Sequence, residues 1–359
     1  MSTVHKFQLS GIAYPQDPAH MLDEICDHFV EHAEVLRDAD RAVLKSPFGT
    51  ASIRLQDERL LIDLDCPSEH SLRMVRTSIA EHLYYFAGET AFDIAWAQPV
   101  SAALLPNMHE GMVTGAEDVT PHMRRVKVSC ADITPFIGGD MHVRILVPPK
   151  GRQPVWPRYR TDGRIAWPDG EDELLVRAYT IRAVDVEHRE LWIDVFQHPM
   201  PDLATPGADF ARNCQPGDRL ALLGPGSGGL PVSSRMLLVG DESALPAIAR
   251  IIAEVAPGTD IEAIIEVEDA REEQPLPTEG TLKVRWLHRR RYPPGASCML
   301  REQAKAAIVA ADPDTFVWVA CEKEDVRSVR SFLKERKHDR KSMYVAWYWE
   351  RETEACSRP

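Results

Sequence analysis

Arg177-Ala178-Tyr179-Thr180-Ile181-Arg182 sets a cation and an aromatic ring two residues apart in a stretch that reads as a β-strand. Strand side chains alternate between faces at about 3.3 Å per residue, so Arg177 and Tyr179 share one face about 6 to 7 Å apart while Thr180 turns to the other. That spacing suits a flavin dinucleotide. The ring can pack on an isoalloxazine, the planar guanidinium can pair with a pyrophosphate, and the Thr180 hydroxyl or backbone can hydrogen-bond the flavin's polar edge. Read alone, the same residues also describe an ordinary barrel strand with a surface charge and a half-buried ring.

Outward from this stretch, the chain has the bulk of a multidomain protein. Its 359 residues predict two or three domains, and 44% hydrophobic with 27% charged residues is a soluble, globular composition. No run approaches the about 18 apolar residues of a membrane span. Met1 to Asp17 lacks a basic segment followed by an apolar one, so no secretory signal is read and the cytoplasm is the expected compartment. A net charge of −13 disfavours nonspecific nucleic-acid binding and requires a local basic patch for any anionic ligand. The seven cysteines are scattered without a C-x-x-C pair. Structural zinc and iron–sulfur clusters need closely spaced thiolates, so no metal centre is expected.

Three segments differ in pattern. Residues 1–97 read as a small α+β domain: a helix from Asp17 to Glu34 opened by Asp17-Pro18, a turn at Pro47-Phe48-Gly49-Thr50, a strand over Leu60–Leu64, a helix over Ser68–Phe86 and a strand over Phe92–Trp96. His28 and His32 share a helical face there without a third ligand. Residues 109–232 break into short strands punctuated by Gly and Pro, which predicts an antiparallel β-barrel. Its strands are Arg124–Val128, His142–Val147, Leu174–Arg182, Leu191–Gln197 and Arg219–Leu223. Residues 233–359 alternate strand and helix, which predicts a parallel sheet with helices on its faces. Strands are expected at Arg235–Val239, Ile261–Val267, Leu282–Leu287, Thr315–Ala320 and Met343–Trp349, and helices at Ala244–Val255, Ser297–Ala310 and Glu324–Lys337.

Gly240-Asp241-Glu242-Ser243-Ala244 lies where the first parallel strand passes into the first helix. Ligands bind at such strand ends, and a helix start offers free N–H groups to an anion. Gly240 lets the chain approach a ligand, and Glu242 and Ser243 can cap the helix. The G-x-G-x-x-G fingerprint is missing, so the loop by itself is also an ordinary strand-to-helix turn.

A barrel carrying Arg-x-Tyr-Thr, followed by a strand–helix nucleotide domain, is the layout of flavin–nicotinamide reductases. Arg177 to Arg182, Val195 to His198, Gly207 to Ala211, Pro216-Gly217-Asp218, Gly240 to Ile248 and Tyr348-Trp349 together resemble the siderophore-interacting proteins over about residues 109 to 350. These are FAD-containing ferric-siderophore reductases of ferredoxin-reductase-like fold. The N-terminal segment resembles a small domain of unassigned function found alone or ahead of such reductases. The resemblance implies FAD contacts by Arg177, Ala178, Tyr179 and Thr180, by Phe196 and His198 at the next strand end, and by Gly207, Ala208, Asp209, Phe210 and Ala211. In that last segment Ala208 stands for the family's Pro and Phe210 for its Trp, and Asp209 brings negative charge near the phosphates. Gly240, Asp241, Glu242, Ser243 and Ala244 stand for the Gly-Asp-Glu-Thr loop, with Glu322 and Trp349 at neighbouring strand ends. Cys321 and Trp347 replace glycines beside the nicotinamide pocket, where they would narrow it.

The implied reaction runs from NADH or NADPH through FAD to a ferric siderophore. Because Fe(III) is a hard ion held best by oxygen ligands, reduction loosens the chelate. Arg124, Arg125, Arg289 and Arg351 are the candidate cations for an anionic substrate. Glu266, Glu268 and Asp269, ending the second parallel strand, favour a free ribose hydroxyl and hence NADH. The Arg289–Arg291 run fits a 2′-phosphate and keeps NADPH open. Rival readings are a general flavin reductase or electron donor, and a flavin- or siderophore-binding module without turnover.

Overall fold

Alternation of apolar and polar residues along the first hundred positions builds a six-stranded antiparallel sheet. In the computed structural model, which describes residues 7–30, 33–98, 104–198, 205–291 and 299–351, its elements are β1 (Phe7–Ala13), α1 (Pro18–Phe29), β2 (Glu34–Asp38), β3 (Arg41–Ser46), β4 (Gly49–Gln56), β5 (Arg59–Cys66), α2 (Glu69–Ala87) and β6 (Ile94–Trp96). Strand order is β2-β3-β4-β5-β1-β6. The Asp17 carboxylate caps α1 by accepting from the His20 N–H at 3.0 Å, and the Ser68 hydroxyl caps α2 from Ser71. Met21, Leu22 and Ile25 of α1 and Ile79 and Leu83 of α2 bury against Ile53, Leu60 and Ile62 of the sheet. The helix expected to reach Glu34 stops at Phe29, and Glu34 opens β2 instead. Gly49, in the turn expected at Pro47–Thr50, has φ 146°, and a Cβ there would lie 2.5 Å from the Cys66 sulfur. His32, Ser297, Cys298 and Cys356 lie outside the described residues.

The barrel opens with β7 (Met108–Thr120), β8 (Met123–Cys130) and β9 (His142–Val147). The chain then departs from the barrel pattern. Val155–Glu173 groups with Met1–Pro106 in one compact unit, while Asn107–Pro154 and Leu174–Pro359 form the other. This excursion makes a hairpin of β10 (Arg158–Tyr159) and β11 (Ile165–Ala166). The Trp96 indole donates to the Asp162 carbonyl at 2.7 Å and the Thr77 hydroxyl to the Gly163 carbonyl at 3.0 Å. The Arg164 guanidinium lies over the Tyr84 ring.

Chain 174 onward returns through β12 (Leu175–Asp185), β13 (Glu190–Phe196), α3 (Pro206–Asn213) and β14 (Arg219–Leu223), closing a barrel in the order β12-β13-β8-β7-β14-β9. Val113, Val126, Val143, Ile145, Ile181 and Ile193 fill its interior, joined by Ala208 and Ala211 of α3. The final sheet is parallel, ordered β17-β16-β15-β18-β19. Its parts are β15 (Arg235–Gly240), α4 (Leu245–Glu254), β16 (Asp260–Val267), β17 (Thr281–His288), α5 (Met299–Ala310), β18 (Phe316–Glu322), α6 (Lys323–Glu335) and β19 (Met343–Trp349). α4 covers one face, and α5 and α6 the other. Between β16 and β17 the described chain has only a 3₁₀ turn at Ala270–Glu272.

Two buried polar residues join the parallel sheet's half to the barrel. Arg250 of α4, 0% exposed, donates to the carbonyls of Ile181 in β12 at 2.9 Å and Phe136 at 2.8 Å, and to Glu254 at 2.9 Å. Glu272 accepts from the Thr120 hydroxyl at 2.5 Å and the His122 N–H at 3.2 Å. A buried acceptor stripped of its donor costs about 1–3 kcal/mol. Arg250→Met, which keeps much of the volume but leaves both carbonyls unpaired, is therefore expected to destabilise this unit by about 2–5 kcal/mol. A urea titration followed by circular dichroism, with a lower midpoint than wild type, checks it.

Candidate functional site

Three consecutive residues of β12 meet three different elements. Tyr179 is pressed against α3: a Cβ at Gly207 would overlap the phenol oxygen and lie 3.4 Å from Arg177 Cγ. Only glycine lets the helix start this close to the ring. Burial pushes the Tyr179 phenol up to about 12, against the lowering effect of Arg177, so the ring carries its proton. Arg177 is exposed, donates to its neighbour's Val176 carbonyl at 2.8 Å, and has no carboxylate partner among the described residues. Beside it, α3 begins at Thr205-Pro206 with no side-chain cap. A guanidinium without a carboxylate partner among the described residues, at a helix start without a side-chain cap, suits a pyrophosphate. Asp209, which would oppose such an anion, is paired with Arg212 at 2.8 Å. Phe210 packs on the barrel interior, and the buried Ala211 offers its carbonyl to Arg124 at 2.7 Å.

Thr180 faces the parallel-sheet half. Its hydroxyl lies 3.3 Å from His142 Nδ1, and His142 Nε2 lies 2.8 Å from the Tyr348 hydroxyl of β19. Ala178 is exposed and stands opposite Arg144 of β9, an exposed arginine with no carboxylate partner among the described residues. At the end of β13 the rings of Phe196 and His198 meet edge-on at 4.8 Å.

The strand-end loop is tightly organised from within. A Cβ at Gly240 would lie 2.6 Å from Ala244 Cβ and 2.8 Å from the Ala320 carbonyl, so this glycine is required by the helix and strand that flank it. The buried Asp241 accepts from the Trp349 indole at 2.7 Å and the Ser243 N–H at 2.9 Å. Glu242, 4% exposed, is gripped by two N–H groups of Arg289, one at 2.8 Å, and Arg289 also reaches Glu266 at 3.3 Å. Burial pushes the carboxyls of Glu242 and Glu266 up, while Arg289 draws both back down. Glu322 caps α6, accepting from Glu324 N–H at 2.7 Å, and takes the Arg351 N–H at 3.3 Å.

The expected substrate cations are mostly engaged elsewhere. Arg125 makes a two-pronged pair with the buried Asp194 at 2.7 and 2.8 Å. Arg124 is shared between Ala211 and Asp118, and Arg289 between two carboxylates. The Arg351 guanidinium lies over Trp349, 5.8 Å from its centroid. Cys321, expected beside the nicotinamide pocket, is inside the core under α5 and α6, its thiol pushed far up by burial. Trp347 is 52% exposed with Lys323 across its ring. Among the described residues no three His, Cys, Asp or Glu side chains assemble as a metal site. Sequence reasoning passed over Arg144, His142 as a side chain, Tyr348 as a hydrogen-bonding partner, and Arg250. For Arg250 the available signal was an arginine within the otherwise apolar run Ala247–Ile252.

Comparison with known proteins agrees with this architecture. Residues 233–352 match the family described as siderophore-interacting protein, residues 112–229 the siderophore-interacting FAD-binding domain, and residues 13–97 an uncharacterized protein conserved in bacteria. A solved siderophore utilization protein from T. fusca is 32% identical, with TM-score 0.59 over 70% of this chain and 96% of that one. The siderophore-interacting protein SipS from Aeromonas hydrophila is 26% identical, with TM-score 0.57 over 69% and 93%. The ferric vibriobactin reductase ViuB of Vibrio cholerae is 26% identical over 239 residues, which are 65% of this chain and 86% of that protein. With a barrel and parallel sheet in the family's order and a relative matched along nearly its whole length, the chain belongs to the siderophore-interacting protein family.

Proposed function

We infer that the chain is an FAD-dependent ferric-siderophore reductase that draws electrons from NAD(P)H and passes them to chelated Fe(III). The observation that carries this reading is the pairing of the Arg177 guanidinium, which has no carboxylate partner among the described residues, with a Tyr179 ring that α3 can approach only through Gly207. FAD, when bound, takes an electron pair from a nicotinamide and releases the electrons one at a time. Arg177 and the start of α3 hold the pyrophosphate. Tyr179, protonated at all physiological pH, packs on the flavin without adding charge. Thr180 meets the flavin's polar edge, with Phe196 and His198 on the neighbouring strand. Asp241, Ser243 and Trp349 form the nicotinamide end, where Asp241 is already hydrogen-bonded and fixed.

For the iron chelate, Arg351 and Arg144 supply positive charge, because Arg124, Arg125 and Arg289 are committed to internal partners. The protein need not ligate iron: Fe(II) is a softer ion that an all-oxygen chelate holds less well. Among the described residues no helix is long and apolar enough to cross a membrane. A supply of NAD(P)H is consistent with work in the cytoplasm.

Arg177→Ala and Tyr179→Ala are each expected to weaken FAD binding by about 10- to 100-fold, from one lost charge-assisted contact or one lost aromatic face. Fluorescence titration of apoprotein with FAD measures it, and unchanged affinity in both variants rejects the pocket. Gly207→Ala, which drives a methyl group into the phenol, should lose FAD retention with the fold intact by circular dichroism. Anaerobic stopped flow tests the reaction itself: NADH or NADPH bleaches the bound flavin, and a ferric siderophore restores its colour while a ferrous chelator reports Fe(II). Bleaching by neither nucleotide, or no recovery with any ferric chelate, rejects the reductase.

A further inference from the structure

The hydrogen bonds around Thr180 form a chain that crosses from the barrel to the parallel sheet: Thr180 in β12, His142 in β9 and Tyr348 in β19. Among the described residues no other partner engages the Thr180 hydroxyl. Nor is His142 a casual surface histidine. Its N–H donates to the Ser227 carbonyl at 3.1 Å and its carbonyl accepts from Gly226 at 3.0 Å. A side chain at Gly228 would overlap the imidazole, and that glycine has φ 72°. The Tyr348 ring meets the imidazole edge-on at 5.4 Å and packs edge-on against Trp318.

A neutral imidazole has one donor and one acceptor nitrogen, so such a chain can run in only two directions. Burial pulls His142 down and holds it neutral, and burial keeps the Tyr348 proton on its oxygen. A phenol is a better donor and a poorer acceptor than an alcohol. The short 2.8 Å contact is at the phenol and the longer 3.3 Å contact at the alcohol. The favoured direction therefore has Tyr348 O–H donating to Nε2 and Nδ1–H donating to Thr180. The Thr180 proton is then left to point outward, and bonds aligned this way reinforce one another.

We propose that His142 and Tyr348 are positioning residues that fix the direction of the Thr180 hydroxyl, so that it donates its hydrogen bond to the polar edge of the flavin. This rests on the reading of β12 as the flavin strand. It makes the donor at the flavin depend on β19, a strand of the other half, and it gives Tyr348 a role that its packing alone does not. A donor at that edge favours the electron-rich flavin, so removing it lowers the reduction potential.

The experiment uses the FAD-loaded protein. Nitrogen-15 NMR of histidine-labelled wild type, with His142 assigned by its loss in His142→Gln, is expected to show a neutral ring protonated on Nδ1 and bare on Nε2. In Tyr348→Phe the proton shifts toward Nε2, and the flavin midpoint potential falls by about 30 mV, a tenfold change in a two-electron equilibrium. Thr180→Val lowers the potential at least as far, and the double variant falls no further than Thr180→Val, because both act through one hydroxyl. A wild-type ring protonated on Nε2 overturns the proposal and needs no variant to fold. A Tyr348→Phe potential equal to wild type, with Thr180→Val lowered, overturns the relay and leaves the flavin strand standing. No change in Thr180→Val overturns both.

Discussion

A guanidinium with no access to water holds the two halves of the larger unit in register. Arg250 ties the carbonyls of Phe136 and Ile181 from the barrel to α4 of the parallel sheet. An arginine cannot shed its charge on burial, so its donors must be satisfied, and here backbone carbonyls and Glu254 do so. Ile181 directly follows the Arg177–Thr180 stretch, which places the end of that stretch under the control of the opposite half. One residue earlier Thr180 meets His142, and one earlier still Tyr179 meets Gly207. Each step of the strand is thus fixed by a different element, the arrangement a cofactor site needs if its contacts are to hold within a fraction of an ångström.

Much of the architecture was legible because it rests on periodicity. The strands His142–Val147 and Arg219–Leu223 and the turn at Pro47–Thr50 coincide with the structure, since alternation and turn residues dictate them locally. β1 and β7 were not read. β7 is long, bears Gly111 and Gly115, and departs from regular register near Gly115 and again between Asp118 and Thr120, so a two-residue period is never sustained. The excursion of Val155–Glu173 was equally hidden. Its grouping with the first unit depends on contacts with Trp96, Thr77 and Tyr84 some 66 to 86 positions away in sequence, which no local pattern encodes.

At the site, the cations were legible as residues but not as free charges. Arg125 and Arg289 look alike in sequence to Arg144 and Arg177. What separates them is the set of carboxylates that the fold buries, Asp194 beneath Arg125 and Glu242 with Glu266 beneath Arg289. An ionised carboxylate out of water demands a partner, so the interior claims those arginines before any ligand does. In a chain of net charge −13, Arg177, beside the Tyr179 ring, is an arginine that none of these buried carboxylates claims.

The same accounting explains how two adjacent acids can stand at the end of the first parallel strand, where the sequence pattern leads one to expect a nucleotide. Asp241 and Glu242 lie side by side, and left bare they would repel a dinucleotide. Asp241 is instead saturated by the Trp349 indole and the Ser243 amide, and Glu242 is neutralised by Arg289. Both carboxylates therefore act as internal struts: one fastens β19 to the loop and the other fastens the end of β17 to it. Trp349 follows Tyr348 directly, so fastening it to Asp241 also sets the position of the neighbouring phenol against His142. The loop's negative charges thus serve the geometry of the barrel-facing contacts, and Gly240, which the sequence offered as a place for ligand approach, is required by the close packing of Ala244 and Ala320 that makes this bracing possible.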